Sequence, residues 1–138
     1  MLINKEFIEG TAPYYIYAQV ILLGTDLAVM LGGGTAPHIG AVAVAQACES
    51  WVPGKVRTAT ASVLCVPGHK EYEFARNAAN TLATALNTTV TVSVGIHVDN
   101  ASLQEIETLS HNFDALIDQI ASWALSLPQF PTNKPLIP

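Results

Sequence analysis

Residues 88–98 alternate without a break: Val90, Val92, Val94, Ile96 and Val98 are apolar, and Thr91, Ser93, Gly95 and His97 between them, continued by Asp99, are small or polar. A strand sends successive side chains to opposite faces, so this run demands a sheet with one buried face and one solvated face. The segments on either side keep a different period. Between residues 69 and 86, Tyr72, Ala75, Ala79, Leu82 and Leu86 recur at steps of three and four, one face of an amphipathic helix that Asn87 ends. A second helix is expected from Ser102, where Ser102, Leu103, Gln104 and Glu105 have capping-box spacing. Its apolar stripe is Leu103, Ile106, Leu109, Phe113, Leu116, Ile117, Ile120 and Trp123, and His111 falls off it as a solvated residue.

The first half reads as strands. Residues 14–23 are rich in aromatic and β-branched side chains. Gly24-Thr25 is a tight two-residue link to residues 26–31. Residues 38–47 carry small side chains, as if something packs closely on them, and residues 56–66 follow the loop Trp51-Val52-Pro53-Gly54. The expectation is an α+β fold with an antiparallel meander: one domain over residues 1–127, a mainly antiparallel sheet of about five or six strands and two amphipathic helices, in the order β-β-β-β-α-β-α. Residues 128–138 hold Pro128, Pro131, Pro135 and Pro138 and read as an extended tail.

Half of the 138 residues are hydrophobic and only 12% are charged, a sparsely ionised surface that favours a homodimer or a partner covering part of it. The net charge of −5, with six scattered lysines and arginines, argues against nucleic acid. No apolar run is long enough to span a membrane, and Met1-Leu2-Ile3-Asn4-Lys5-Glu6 is not a secretory leader. Cys48 and Cys65, in apolar strand contexts, read as buried reduced thiols, which fits a cytoplasmic protein.

Chemistry concentrates at three junctions between regular elements and loops. His38 follows Gly32-Gly33-Gly34-Thr35-Ala36-Pro37, His69 follows Pro67-Gly68, and His97 ends the alternating strand beside Asp99 and Asn100. If these ends lie together, one pocket holds three imidazoles, and two chemistries fit it. One is anion binding: the glycine amides form one cradle, and the helix start near Gly68, His69 and Lys70 forms a second, with the positive end of the helix dipole. The other is a metal site with His38, His69 and His97 as nitrogen ligands and Asp99 as an oxygen ligand or a partner to an imidazole. Glu71 and Glu73 are accounted for by the helix dipole. No Gly-x-Ser-x-Gly elbow, nucleotide-binding P-loop or Rossmann fingerprint is present.

Taken together, three segments carry a resemblance: residues 32–41 (Gly-Gly-Gly-Thr-Ala-Pro-His-Ile-Gly-Ala), residues 59–71 ending Val66-Pro67-Gly68-His69-Lys70-Glu71, and Gly95-Ile96-His97-Val98-Asp99-Asn100. In order and spacing the chain resembles the small LpdD-like proteins, described as prenylated-flavin chaperones and as the D subunit of gallate-type decarboxylases, over roughly residues 14 to 125. The resemblance implies a protein that binds prenylated FMN, or FMN, and helps mature or deliver it to a UbiD-type decarboxylase catalytic subunit, with a flavin prenyltransferase as a further partner. It implies a fold related to proteasome assembly chaperone 4, often dimeric, and an accessory role without catalytic activity of its own. Cofactor contacts would then come from Gly33, Gly34, Thr35 and His38, from Gly68, His69 and Lys70 at the helix start, and from His97, Asp99 and Asn100. We place the flavin phosphate at that helix start and the isoalloxazine on the small side chains of residues 40–47. Two alternatives stay open: a metal-dependent enzyme using His38, His69 and His97 on a small anionic substrate, and a purely structural assembly factor.

Overall fold

The chain forms β1 (Ile3–Glu9), β2 (Ile16–Leu23), β3 (Asp26–Gly34), β4 (Ala41–Glu49), β5 (Arg57–Cys65), α1 (Tyr72–Leu86), β6 (Thr89–His97) and α2 (Leu103–Leu125). These elements are seen in a computed structural model, which describes residues 3–69 and 71–130. The α+β class and single domain are as expected, but β1 precedes the strands read from the sequence, so the order is β-β-β-β-β-α-β-α. β1 escaped notice because an edge strand shows little alternation: only Phe7 is buried in Ile3–Glu9.

All six strands make one sheet in the order β1-β2-β3-β6-β4-β5. β2 pairs with β3, and β4 with β5, antiparallel as a meander requires. The meander breaks between β3 and β4, where β6 inserts parallel to β3 and antiparallel to β4. The chain leaves the edge strand β5, crosses as α1, and returns as β6 in the direction of β5. A same-direction return needs a crossover about as long as a helix, and α1 supplies it.

The helices cover one face of the sheet, α1 over β4, β5 and β6, and α2 over β1 and β2. Ala41, Ala43, Ala45 and Ala47 of β4 are buried, as are Ala75, Ala78, Ala79 and Ala83 of α1. Small side chains on both surfaces let helix and strand backbones approach closely. That use corrects the expected placement of a flavin ring on residues 40–47, because α1 occupies the surface. Asn87 ends α1 in the left-handed region at φ 51°, its N–H donating to the Ala83 carbonyl.

Ser102 caps α2 through the expected capping box, and Leu109, Phe113, Leu116, Ile117 and Ile120 are buried along its stripe. Leu103 and Ile106, read as part of that stripe, are exposed instead. His111 is exposed as expected. Phe130 folds back into the core, and the tail from residue 131 onward lies outside the described residues. Both cysteines are free, but Cys48 is half-buried and Cys65 exposed, so the expected burial fails. Among the described residues no helix is long and apolar enough to cross a membrane.

Candidate functional site

The inserted strand decides where the loops meet. β3 and β6 run parallel and in register, Gly34 opposite His97, while Ala41 at the start of β4 pairs with Val94 of β6 and with Cys65 at the end of β5. Three connections therefore leave one end of the sheet: residues 35–40, 66–71 and 98–102. They bring His38, His69 and His97 together, as the junction reading proposed. The His38 and His69 rings lie 4.5 Å apart between centroids, and His38 and His97 lie 6.5 Å apart.

The glycine run does something other than cradle an anion. Gly32 and Gly33 are ladder residues of β3, and the Gly34 N–H donates to the Tyr15 carbonyl. Gly34 has φ 73° and packs against the His97 carbonyl, leaving no room for a side chain. From there the chain folds over the end of β6: the Thr35 N–H donates to the His97 carbonyl at 2.7 Å, and the Thr35 hydroxyl donates to the same oxygen at 3.3 Å. The run thus sets a close backbone turn that aims His38, and the expected amide cradle is not formed.

His38 is held from both sides. Its Nδ1 lies 3.0 Å from the Ala36 carbonyl, which can only accept, so Nδ1 carries the proton. Its Nε2 lies 2.6 Å from Glu71 Oε1, and Glu71 Oε2 lies 3.8 Å from His69 Nδ1. Glu71 sits at the N-cap of α1 yet makes no side-chain capping bond. It is 8% exposed, a buried carboxylate aimed at the histidines. Sequence reasoning assigned Glu71 to the helix dipole and so missed it. The available signal was its place two residues after His69, on the turn that carries that ring to the junction.

His97 stands at the rim, where its Nε2 lies 2.7 Å from Asp99 Oδ1. Asn100 turns the chain toward α2 at φ 51° and is exposed, and Gly68 turns the chain before His69 at φ 83°. Lys70 lies outside the described residues. A cavity of about 350 Å³ opens beside this cluster, lined by His69, Glu71 and His97 together with Phe74, Ile96 and Ile106. Its size falls within the roughly 300–1,000 Å³ of ligand pockets, and a mostly apolar wall with a few converging polar groups is the usual build of one. Ile106 therefore leaves the core stripe to line the cavity.

Known proteins place this site in context. A chain of a chaperone complex for yeast 20S proteasome assembly superposes with a TM-score of 0.58 at 8% identity, covering 88% of this chain and 96% of that one, which shows a shared fold. Protein LpdD of Lactiplantibacillus plantarum is 30% identical over 122 residues, 88% of this chain and 86% of that protein. Residues 10–125, which contain all three junctions and the cavity, match the prenylated flavin chaperone LpdD-like domain. This chain belongs to the LpdD-like chaperone family.

Proposed function

We propose that this protein is an accessory chaperone of the cytoplasm that binds prenylated FMN in the cavity between β6, α1 and α2. It holds the cofactor for a UbiD-type decarboxylase catalytic subunit, after a flavin prenyltransferase has made it, and works as a homodimer. One observation carries this reading: the family match spans residues 10–125, and two of its three chemistry-rich segments line one cavity through His69, Glu71 and His97, while the third stands behind it through the contact of His38 with Glu71. The cavity's chemistry supports it, since Phe74, Ile96 and Ile106 suit a planar apolar ring system while the imidazoles of His69 and His97 suit polar edges. In this proposal the phosphate stays at the start of α1, beside Gly68 and His69, with Lys70 as the cation that the sequence supplies there.

Co-production with a flavin prenyltransferase tests this. The purified protein is expected to carry a flavin absorbance band and to release prenylated FMN on denaturation. Ile106→Trp, which fills the cavity from a half-exposed position, is expected to fold with an unchanged circular dichroism spectrum and to lose the band. Folded wild-type protein that carries no flavin under these conditions would overturn the proposal.

A further inference from the structure

The contact between His38 and Glu71 is chemically incomplete. With the His38 Nδ1 proton committed to the Ala36 carbonyl, the neutral ring presents a lone pair at Nε2, 2.6 Å from a carboxylate oxygen. Two acceptors at that separation need a shared cation, either a proton on the line between them or a metal ion set to one side of it. The pair also lacks hydrogen-bond alignment, because Nε2 is buried with no hydrogen-bond partner despite the short distance. An oxygen set to the side of a nitrogen's lone-pair axis is how two ligands of one ion are arranged, whereas a donor points at its acceptor. Glu71 Oε2 is likewise buried and without a hydrogen-bond partner.

A third group completes the set. His69 Nδ1, His38 Nε2 and a Glu71 oxygen all lie within 4.8 Å of one another. The Nδ1–H bond from His38 to a backbone carbonyl is the outer contact that fixes the tautomer and ring orientation of a metal-ligating histidine. We infer that His38, His69 and Glu71 bind one first-row divalent transition-metal ion, of the Zn²⁺ class. Two imidazoles and one carboxylate favour such an ion over Ca²⁺ or Mg²⁺, which prefer all-oxygen sites. His97 is outside the set, because its Nε2 is engaged by Asp99, so the ligand trio differs from the three histidines expected from sequence. Three protein ligands leave coordination positions for an exogenous group on the cavity side.

The site stands independently of flavin binding, and its test uses flavin-free protein without a histidine tag. Protein stripped with a chelator is titrated with Zn²⁺ by calorimetry and with Co²⁺ by visible absorption. The expected result is saturable binding of a single ion per chain, with Co²⁺ ligand-field bands typical of nitrogen and oxygen ligands. His38→Ala, His69→Ala and Glu71→Gln are each expected to raise the Kd at least about tenfold, the size that loss of even an outer partner produces. His111→Ala, an exposed histidine on α2, is expected to leave it unchanged. Folded Glu71→Gln protein that binds Zn²⁺ as tightly as wild type overturns the site. So does wild-type protein that takes up neither ion, a result that assigns the His38–Glu71 contact to a shared proton. The wild-type Co²⁺ titration decides the matter even where a variant does not fold.

Discussion

A single missing methyl group gives the Glu71 carboxylate its place. A Cβ on Gly40 would collide with that carboxylate, the far end of a flexible side chain, and Gly40 has no left-handed backbone angle to forbid alanine. Gly40→Ala is therefore expected to fold normally, with an unfolding free energy within about 1 kcal/mol of wild type, while turning the carboxylate away from His38. Zn²⁺ affinity should then fall at least about tenfold, in line with removal of a ligand. Equal affinity in Gly40→Ala would take Glu71 out of the ligand set. The positions of His38, His69 and His97 were legible in the sequence because each sits where a strand or helix pattern stops. Glu71 was not, because a glutamate at a helix start has an ordinary explanation, and nothing local shows that Gly40 leaves room for it.

Elements were legible where burial imposes a period, and their ends where a capping side chain has a clear job. At the start of α2, the Glu105 N–H donates to the Ser102 hydroxyl, and Glu105 Oε1 accepts from the Ser102 N–H at 3.2 Å. That backbone bond, then the Ser102 side-chain bond, holds the Glu105 carboxyl below its usual range. Tyr14 links this cap to the strand layer by donating to Glu105 Oε2 at 3.2 Å, and its hydroxyl is pushed up first by desolvation and then by the carboxylate. A carboxyl with a lowered folded-state pKa contributes stability above its unfolded pKa, and the contribution disappears as pH falls through the folded value. The stability gap between wild type and Glu105→Gln, read by urea unfolding, should thus be largest near neutral pH and shrink below the ordinary glutamate range. A gap that stays constant into acid would show that the ionised cap does not contribute. Ser102→Ala should cost about 1 kcal/mol at neutral pH, the usual value of an N-cap. β1 and the insertion of β6 stayed hidden for opposite reasons. The edge strand buries too little to show a period, and strand order is a long-range choice that no local alternation encodes.

At the scale of the molecule, helices on one face leave the other face of the sheet bare. In register across β2, β3, β6, β4 and β5, that face carries Tyr17, Gln19 and Ile21, then Ala28 and Met30, Thr91 and Ser93, Val42 and Val44, and Ser62 and Leu64. None of these side chains is charged, and Met30, Val42, Val44 and Leu64 are exposed. Five strands about 4.8 Å apart and about 30 Å long present on the order of 700 Å², close to the ~800 Å² per partner of a stable interface. Across the middle of these five strands a second copy meets no charge, and the carboxylate of Glu6, opposite Gln19 in register, lies out on the edge strand β1. A hollow of about 300 Å³ lined by Tyr17, Met30, Pro37 and His38 runs from this face to the histidine cluster, so pairing through it would shield His38 from that side. Sedimentation equilibrium of the wild type at micromolar concentration should give the mass of two chains. Val44→Glu combined with Met30→Glu, both on the bare face and outside the core, should give the mass of one with an unchanged circular dichroism spectrum. Facing carboxylates across the interface would have to be desolvated in pairs, a cost several times that of losing the two apolar contacts. A double variant that remains dimeric would move the interface off the sheet face and leave the hollow beside His38 open to solvent.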